Sequence, residues 1–237
     1  KFENSIKNSI SEPEAAFING ILLGSRESIP KDIKDDFAKT STSHILAISG
    51  YNITIIATVV SWFLLLFLSR GISFWFSVGA ILIFAVLTGA SASVMRAAVM
   101  GLLVLLAQNS GRLYDSKNAL ILAATVMIWA NPMSLRFDVG FQLSFLATMG
   151  ILFVVPIFKP YTEKLPKLFN FRETLLMTLS AQLMVLPLLL FYFHNFSLVS
   201  LPTNLIVLPF VPYAMILGFL SGLAGMIWIN LGIIIGW

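Results

Sequence analysis

ISFWFSVGAILIFAVLTGASASVMRAAVMGLLVLLA, residues 72–107, carries a single charged side chain, Arg96. The hydrocarbon core of a bilayer takes about 20 apolar residues to cross as a helix. The stretch is therefore too long for one span, and its halves are joined too tightly for two ordinary ones. The join is Thr88-Gly89-Ala90-Ser91-Ala92-Ser93, small and polar throughout. Small residues let helix backbones approach closely, and they let unwound backbone line a cavity. This reading sets the fold class: all-α, a polytopic helical transmembrane bundle with broken or short helices.

Working outward, apolar runs predict spans at roughly 45–69, 72–89, 93–108, 118–130, 138–158, 173–193, 203–220 and 222–237. The third and fourth are short for a span, which predicts tilted, broken or re-entrant helices. Apolar residues make up 58% of the chain and charged residues 11%, against about 25% charged in soluble domains. The charges are segregated. Residues 1–43 hold six basic and seven acidic groups, while 44–237 hold nine basic and four acidic. The positive balance thus belongs to loops flanking a membrane, and the chain does not read as a soluble nucleic-acid binder.

The absence of cysteine excludes disulfides, thiol catalysis and iron–sulfur clusters. With only His44 and His194 and no HExxH, a zinc site is not expected, nor any other metal or cofactor. No Walker A motif is present to supply a driving force. Ser49 with His44 is a thin basis for a hydrolase, which needs nucleophile, base and oxyanion donors together. The chain is read as no enzyme, with no catalytic residue.

Residues 1–43 read as a juxtamembrane segment, extracytoplasmic or interfacial, preceding a membrane domain over 44–237. Ser11-Glu12-Pro13-Glu14 is a helix start leading into Ala15–Leu23, an apolar stretch too short to span and ended by Gly24. Ile29-Pro30 opens a charged helix over Lys31–Lys39. If the first span runs inward, Arg70, Arg112, Lys117, Lys159, Lys164, Lys167 and Arg172 all fall in cytoplasmic connections. Arg136, joined by Arg96 if it reaches the interface, is left opposite, so the N-terminal segment is placed outside. The chain starts at Lys1 and stops at Trp237 within an apolar run, and is read as a fragment of a longer protein.

Polar groups inside these runs are the functional candidates, because an unpaired one in hydrocarbon costs about as much as a lost hydrogen bond or more. In HILAISGYN, 44–52, Gly50 permits a close helix crossing or an unwound turn, and Asn52 adds a full amide. The segment is either a packing glycine with an interhelical Asn bond or a cavity-lining break that also offers His44 and Ser49. Arg96 costs about 2.5–3.5 kcal/mol at mid-span and snorkels near an end. Asp138 is its natural counter-charge, with Arg136 competing. The pair would be either a structural clamp or a charged wall suited to phosphate. In RFDVGFQLSFLATMGI, 136–151, Asp138 either caps a helix or accepts from Arg96, and Gln142 shares its face one turn on. Phe137, Phe141 and Phe145 form a further stripe, of core or lipid-facing rings or, alternatively, of base-stacking ones. Gln182 and Asn204, the latter just after Pro202, complete the set, and Gly218 with Gly222 has the spacing of a helix contact.

HILAISGYN at 44–52, TGASASVMRAAVM at 88–100, NPMSLRFDVGFQLSFLATMGI at 131–151 and FSLVSLPTNLIVLP at 196–209 together resemble the membrane competence domain of the ComEC family. The Asp-x-Gly-Phe-Gln-Leu-Ser-Phe element is the most diagnostic. Family members commonly carry a histidine where Asn52 stands. The resemblance implies an inner-membrane channel or transporter that takes single-stranded DNA into the cytoplasm during natural transformation. It implies as partners the strand, the lipid bilayer, soluble domains of the full-length chain (one like an OB fold, one like a metallo-β-lactamase), other uptake components and a second copy of the chain. His44, Ser49, Gly50, Asn52, Arg96, Asp138, Gln142 and Asn204 are then the expected substrate contacts, converging on one hydrated passage. The alternatives are a secondary transporter of a small ion or metabolite, and a scaffold whose polar groups only hold helices together.

Overall fold

The computed structural model describes residues 2–25, 29–40, 42–46, 53, 62–162, 171–193 and 199–236. Among them every regular element is helical: α1 Phe2–Ser9, α2 Glu14–Leu23, α3 Lys31–Lys39, α4 Ser43–Leu46, α5 Arg70–Leu87, α6 Ala92–Asn109, α7 Ser116–Ala130, α8 Ser134–Phe137 and α9 Val139–Met149. α9 continues through a π turn, Gly150–Val154, into α10, Val155–Phe158. α11 Phe171–Phe193, α12 Ser200–Val207, α13 Val211–Ile227 and α14 Ile229–Gly236 follow.

Among the described residues, four helical stretches are long and apolar enough to cross a membrane: 70–87, 92–109, 139–158 and 172–193. At about 1.5 Å per residue, 18 residues reach about 27 Å, close to the hydrocarbon thickness. Their outward faces carry Trp75, Phe76, Ile83, Val86 and Phe191, all more than half exposed within the chain, as surfaces in contact with lipid must be.

The residues group into two compact units. Unit 1 comprises 1–48, 166–178 and 195–237; unit 2 comprises 49–165 and 179–194. In unit 1, α2 is almost entirely enclosed: Ala15, Ala16, Ile18, Asn19, Gly20, Ile21 and Leu22 are buried. Ser11 Oγ donates to Glu14 at 3.0 Å at its start, and Gly24, at φ 78°, stops it. One side of α2 packs Ala16 and Phe17 on Ile29, Ile33 and Phe37.

The apolar tail does not divide near position 221. It breaks at Leu208–Phe210, where α12 and α13 meet at a 48° bend, and again at Trp228. Pro209 cannot donate to the helix ladder, and Pro212 suits the first turn of α13. Ser221, expected at a helix junction, is instead fully buried in mid-helix and donates to Gly232 O of α14 at 2.8 Å.

In unit 2, α5 and α6 pack side by side as a hairpin. The short join at 88–91 holds because Gly89 has φ 79° and Ala90 φ 47°, and Thr88 Oγ1 donates to Phe84 O at 2.8 Å. Two 18-residue helices thus form on either side of a turn that looked too tight for them. α7 packs on α6 and begins at Asp115, whose carboxylate accepts from Lys117 N at 2.8 Å and Asn118 N at 3.3 Å. α9 closes on α7 through Phe141, Phe145, Leu120 and Ala123, with Val99 and Met100 of α6 packed against them.

Candidate functional site

α6 and α9 bring the charged part of unit 2 together. Arg96 lies one turn into α6, half-buried, and its Nη1 donates to Ser144 O and to Thr148 Oγ1 on α9. Thr148 Oγ1 itself donates to Ser144 O at 3.0 Å. Among the described residues the ion pairs are Lys7–Glu3 and Lys39–Asp36, both outside the spans; Arg96 forms none with Asp138. Hydrogen bonds to charged groups are worth about 1.5–3 kcal/mol each. Two of them balance an insertion cost of about 2.5–3.5 kcal/mol, so Arg96 is held without a counter-ion.

Asp138 takes the capping role. Its Oδ1 accepts from Phe141 N at 3.0 Å, satisfying one of the free N–H groups at the start of α9. Gln142 turns back to the preceding short helix, its Nε2 donating to Leu135 O at 2.9 Å and Arg136 O at 3.1 Å. The two therefore lock the α8–α9 corner from opposite sides. Phe141 and Phe145 are buried with ring centroids 4.3 Å apart and serve as core. Phe137 is exposed, with the Arg136 guanidinium 5.4 Å from its ring centroid.

Immediately after Thr148 and Met149 the helix widens into the π turn. A Cβ built on Gly150 would meet Ser180 O of α11 at 2.4 Å, so glycine is what lets the two backbones touch. π turns recur at functional sites in helices.

In unit 1, His44 lies exposed on α4, and Asn204 is buried on α12 just before the bend. Asn204 Nδ2 reaches Ser200 Oγ at 3.5 Å, whereas its Oδ1 has no partner. Ser49, Gly50 and Asn52, with His194, lie outside the described residues. A groove of about 190 Å³ in unit 1, bordered by Ile10, Glu14, Ile18, Leu217 and Ile235, includes none of the expected contacts.

A family model described as Competence protein matches residues 21–237. The chain belongs to the Competence protein family. It is 29% identical over 220 residues to ComE operon protein 3 of Bacillus subtilis (strain 168), covering 92% of this chain and 27% of that one. It is 28% identical over 214 residues to the uncharacterized protein YcaI of Escherichia coli (strain K12), covering 85% and 28%. The chain thus spans little more than a quarter of the length of these curated relatives. No solved structure matches it. Family and apolar helices together make this member of the competence family a multi-pass membrane protein.

Three features of this competence-family chain escaped the sequence reading. Ser144 and Thr148, the partners of Arg96, are ordinary residues for a membrane helix, and nothing local singles them out. Asn19 is wholly buried with neither amide atom partnered. The signal that flagged Asn52, an amide within an apolar run, was equally present there in AAFINGILL. The third is α1, whose amphipathic turns cover the C-terminal helices.

Proposed function

We propose that this chain is part of the membrane passage through which single-stranded DNA enters the cytoplasm during natural transformation. Arg96 carries the reading: a cation inside a span, anchored to the facing helix, with no carboxylate among the described residues claiming its charge. Intramembrane charges of this kind mark ion or substrate paths. Membership of the Competence protein family and the resemblance to ComEC uptake proteins supply the cargo. A polyanion needs polar groups along its way, yet a densely cationic lining would hold it; conduction requires weak and multiple sites. One guanidinium with scattered amides and hydroxyls meets that requirement.

On this reading the chain sits in the inner membrane with its N-terminal segment outside, as the basic-residue bias supports. His44, Ser49, Gly50, Asn52, Asp138, Gln142 and Asn204 join Arg96 as strand contacts. The soluble parts of the full-length protein, other uptake components and a second copy are its partners. The chain itself performs no covalent chemistry.

The test is transformation of a competent host whose full-length protein carries Arg96→Ala or Asp138→Asn. Asn is as good a helix cap as Asp, so Asp138→Asn removes charge and keeps the corner. Impaired uptake at normal protein levels is expected for both, and normal uptake contradicts the reading.

A secondary transporter of a small ion or metabolite is the second reading, favoured by the 48° bend after α12 and the unpartnered Asn204 Oδ1 beside it. Ion-coupled solute uptake in proteoliposomes without any DNA dependence selects it.

A further inference from the structure

We infer that Arg96 Nε–H and Ser144 Oγ–H form an oxyanion subsite between α6 and α9, filled in transit by a phosphodiester oxygen of the strand. The inference rests on the DNA-uptake reading and adds to it a site and a residue, Ser144.

Both atoms are enclosed and neither has a hydrogen-bond partner among the described residues. They belong to a single contact. Nε shares its planar group with Nη1, which is bonded to Ser144 O and Thr148 Oγ1, and the free Oγ belongs to the same Ser144. Buried polar groups are almost always paired, and exceptions call for an explanation such as an absent ion. The explanation here is constrained by chemistry. Nε can only donate, and a serine hydroxyl donates readily. Among the described residues the guanidinium has no ion pair to a carboxylate, and Asp138 is engaged at the helix cap. Two donors beside an uncompensated cation complement an oxygen anion. A guanidinium offers its donors in the fixed fork that suits phosphate.

The backbone beside this contact is irregular. The π turn starts at Gly150, within two residues of Thr148, so the segment holding both partners of Arg96 ends at an irregular turn rather than a continuous ladder. Gly150 against Ser180 O ties the far side of that turn to α11.

Ser144→Ala is the discriminating variant. The hydroxyl bonds to nothing, so its removal leaves folding intact, whereas removing a strand contact lowers uptake. Arg96→Lys is the second, keeping charge while losing Nε–H. The full-length protein, purified in a phosphate-free nonionic detergent, is melted with inorganic phosphate, with a dT oligonucleotide, and with the same oligonucleotide bearing uncharged methylphosphonate linkages. Transformation frequency is measured in parallel.

For Ser144→Ala the expected result is an unliganded melting temperature at or above wild type and a fall in uptake of roughly tenfold, the worth of one charge-assisted hydrogen bond. The dT oligonucleotide raises the wild-type melting temperature, and both variants and the uncharged linkage abolish the rise. Stabilisation by inorganic phosphate, lost in both variants, upholds the site as one for oxyanions in general. Equal stabilisation of wild type and Ser144→Ala, or of neither, overturns it. Wild-type uptake by Ser144→Ala overturns the subsite and leaves the DNA-uptake reading standing. Phosphate stabilisation lost in Ser144→Ala, in a protein that never takes up DNA, keeps the subsite and removes that reading.

Discussion

Two helix contacts in this molecule handle polar groups in different ways. In unit 1, α1 lies on a seam of glycines in α13 and α14. Phe2 and Ile6 stand over Gly222, Ser9 reaches both Gly225 and Gly232, and Ile10 meets Gly236. Ser5 Oγ donates to Gly222 O at 2.8 Å, and Ser221 Oγ to Gly232 O at the same distance. Hydroxyls bonded to backbone carbonyls bring the helices to close range and cement them there. In unit 2, the α6–α9 contact is organised by one guanidinium, whose Nε–H, like the neighbouring Ser144 hydroxyl, has no partner among the described residues. The first commits Ser5 and Ser221 to backbone carbonyls and leaves only the neutral Ser9 hydroxyl over; the second leaves a charged donor, Arg96 Nε–H, beside the Ser144 hydroxyl, and that pair is the one suited to an anionic ligand.

The comparison breaks most readily at the seam. A Cβ on Gly232 would lie 2.3 Å from Ser9 Oγ and 2.7 Å from Gly225 Cα. The serine can turn away but the backbone cannot, so Gly232→Ala should cost about 1–3 kcal/mol, read as a lowered melting temperature. Ser9→Ala in the same background should restore little of it. Full recovery would mean that side-chain crowding, and not backbone approach, governs the seam.

A smaller effect is expected at the α8–α9 corner. Asp138→Ala removes the α9 cap and should cost about 0.5–2 kcal/mol, while Asp138→Asn melts close to wild type. Equal destabilisation by both would show that the carboxylate charge holds the corner together.

The smallest is on α5, where nothing lies within 4 Å of a Cβ built on Gly79. Gly79→Ala should gain up to about 0.5–1 kcal/mol from helix propensity and leave uptake unchanged. Destabilisation there would reveal a packing partner on a face assigned to lipid.

The apolar helices at 72–89, 93–108, 118–130, 138–158 and 173–193 were legible because apolar runs bounded by charges carry their own length signal, and the structure places helices over each, the one at 118–130 too short to count as a span. The tail at 203–237 misled because it is apolar throughout, so only the geometry of Pro209 and Trp228 shows where it bends. α1 was not legible at all. FENSIKNS is polar and short, and its role depends on glycines more than 200 residues away, as the Ser5–Gly222 bond at a separation of 217 shows. At the candidate site, Arg96 and Asp138 stood out by charge alone. Their partners did not: pairing them with each other was the simplest electrostatic solution, and the helix cap and the Ser144 and Thr148 oxygens offered each a nearer one. Asn19 was passed over because its run is too short to span, a criterion of length that says nothing about burial.

The central claim, that a strand passes along the α6–α9 contact, is tested most directly by thiol crosslinking during uptake. The 237 residues hold no cysteine, so single substitutions in an otherwise cysteine-free full-length protein report without background. Ser144→Cys and Thr148→Cys sample the guanidinium contact, and Ser5→Cys and Ser221→Cys sample the glycine seam. With thiol-reactive single-stranded DNA caught in transit, adducts at 144 and 148 and none at 5 and 221 are predicted. Uptake that proceeds with 144 and 148 unlabelled, or with all four labelled alike, would contradict the claim.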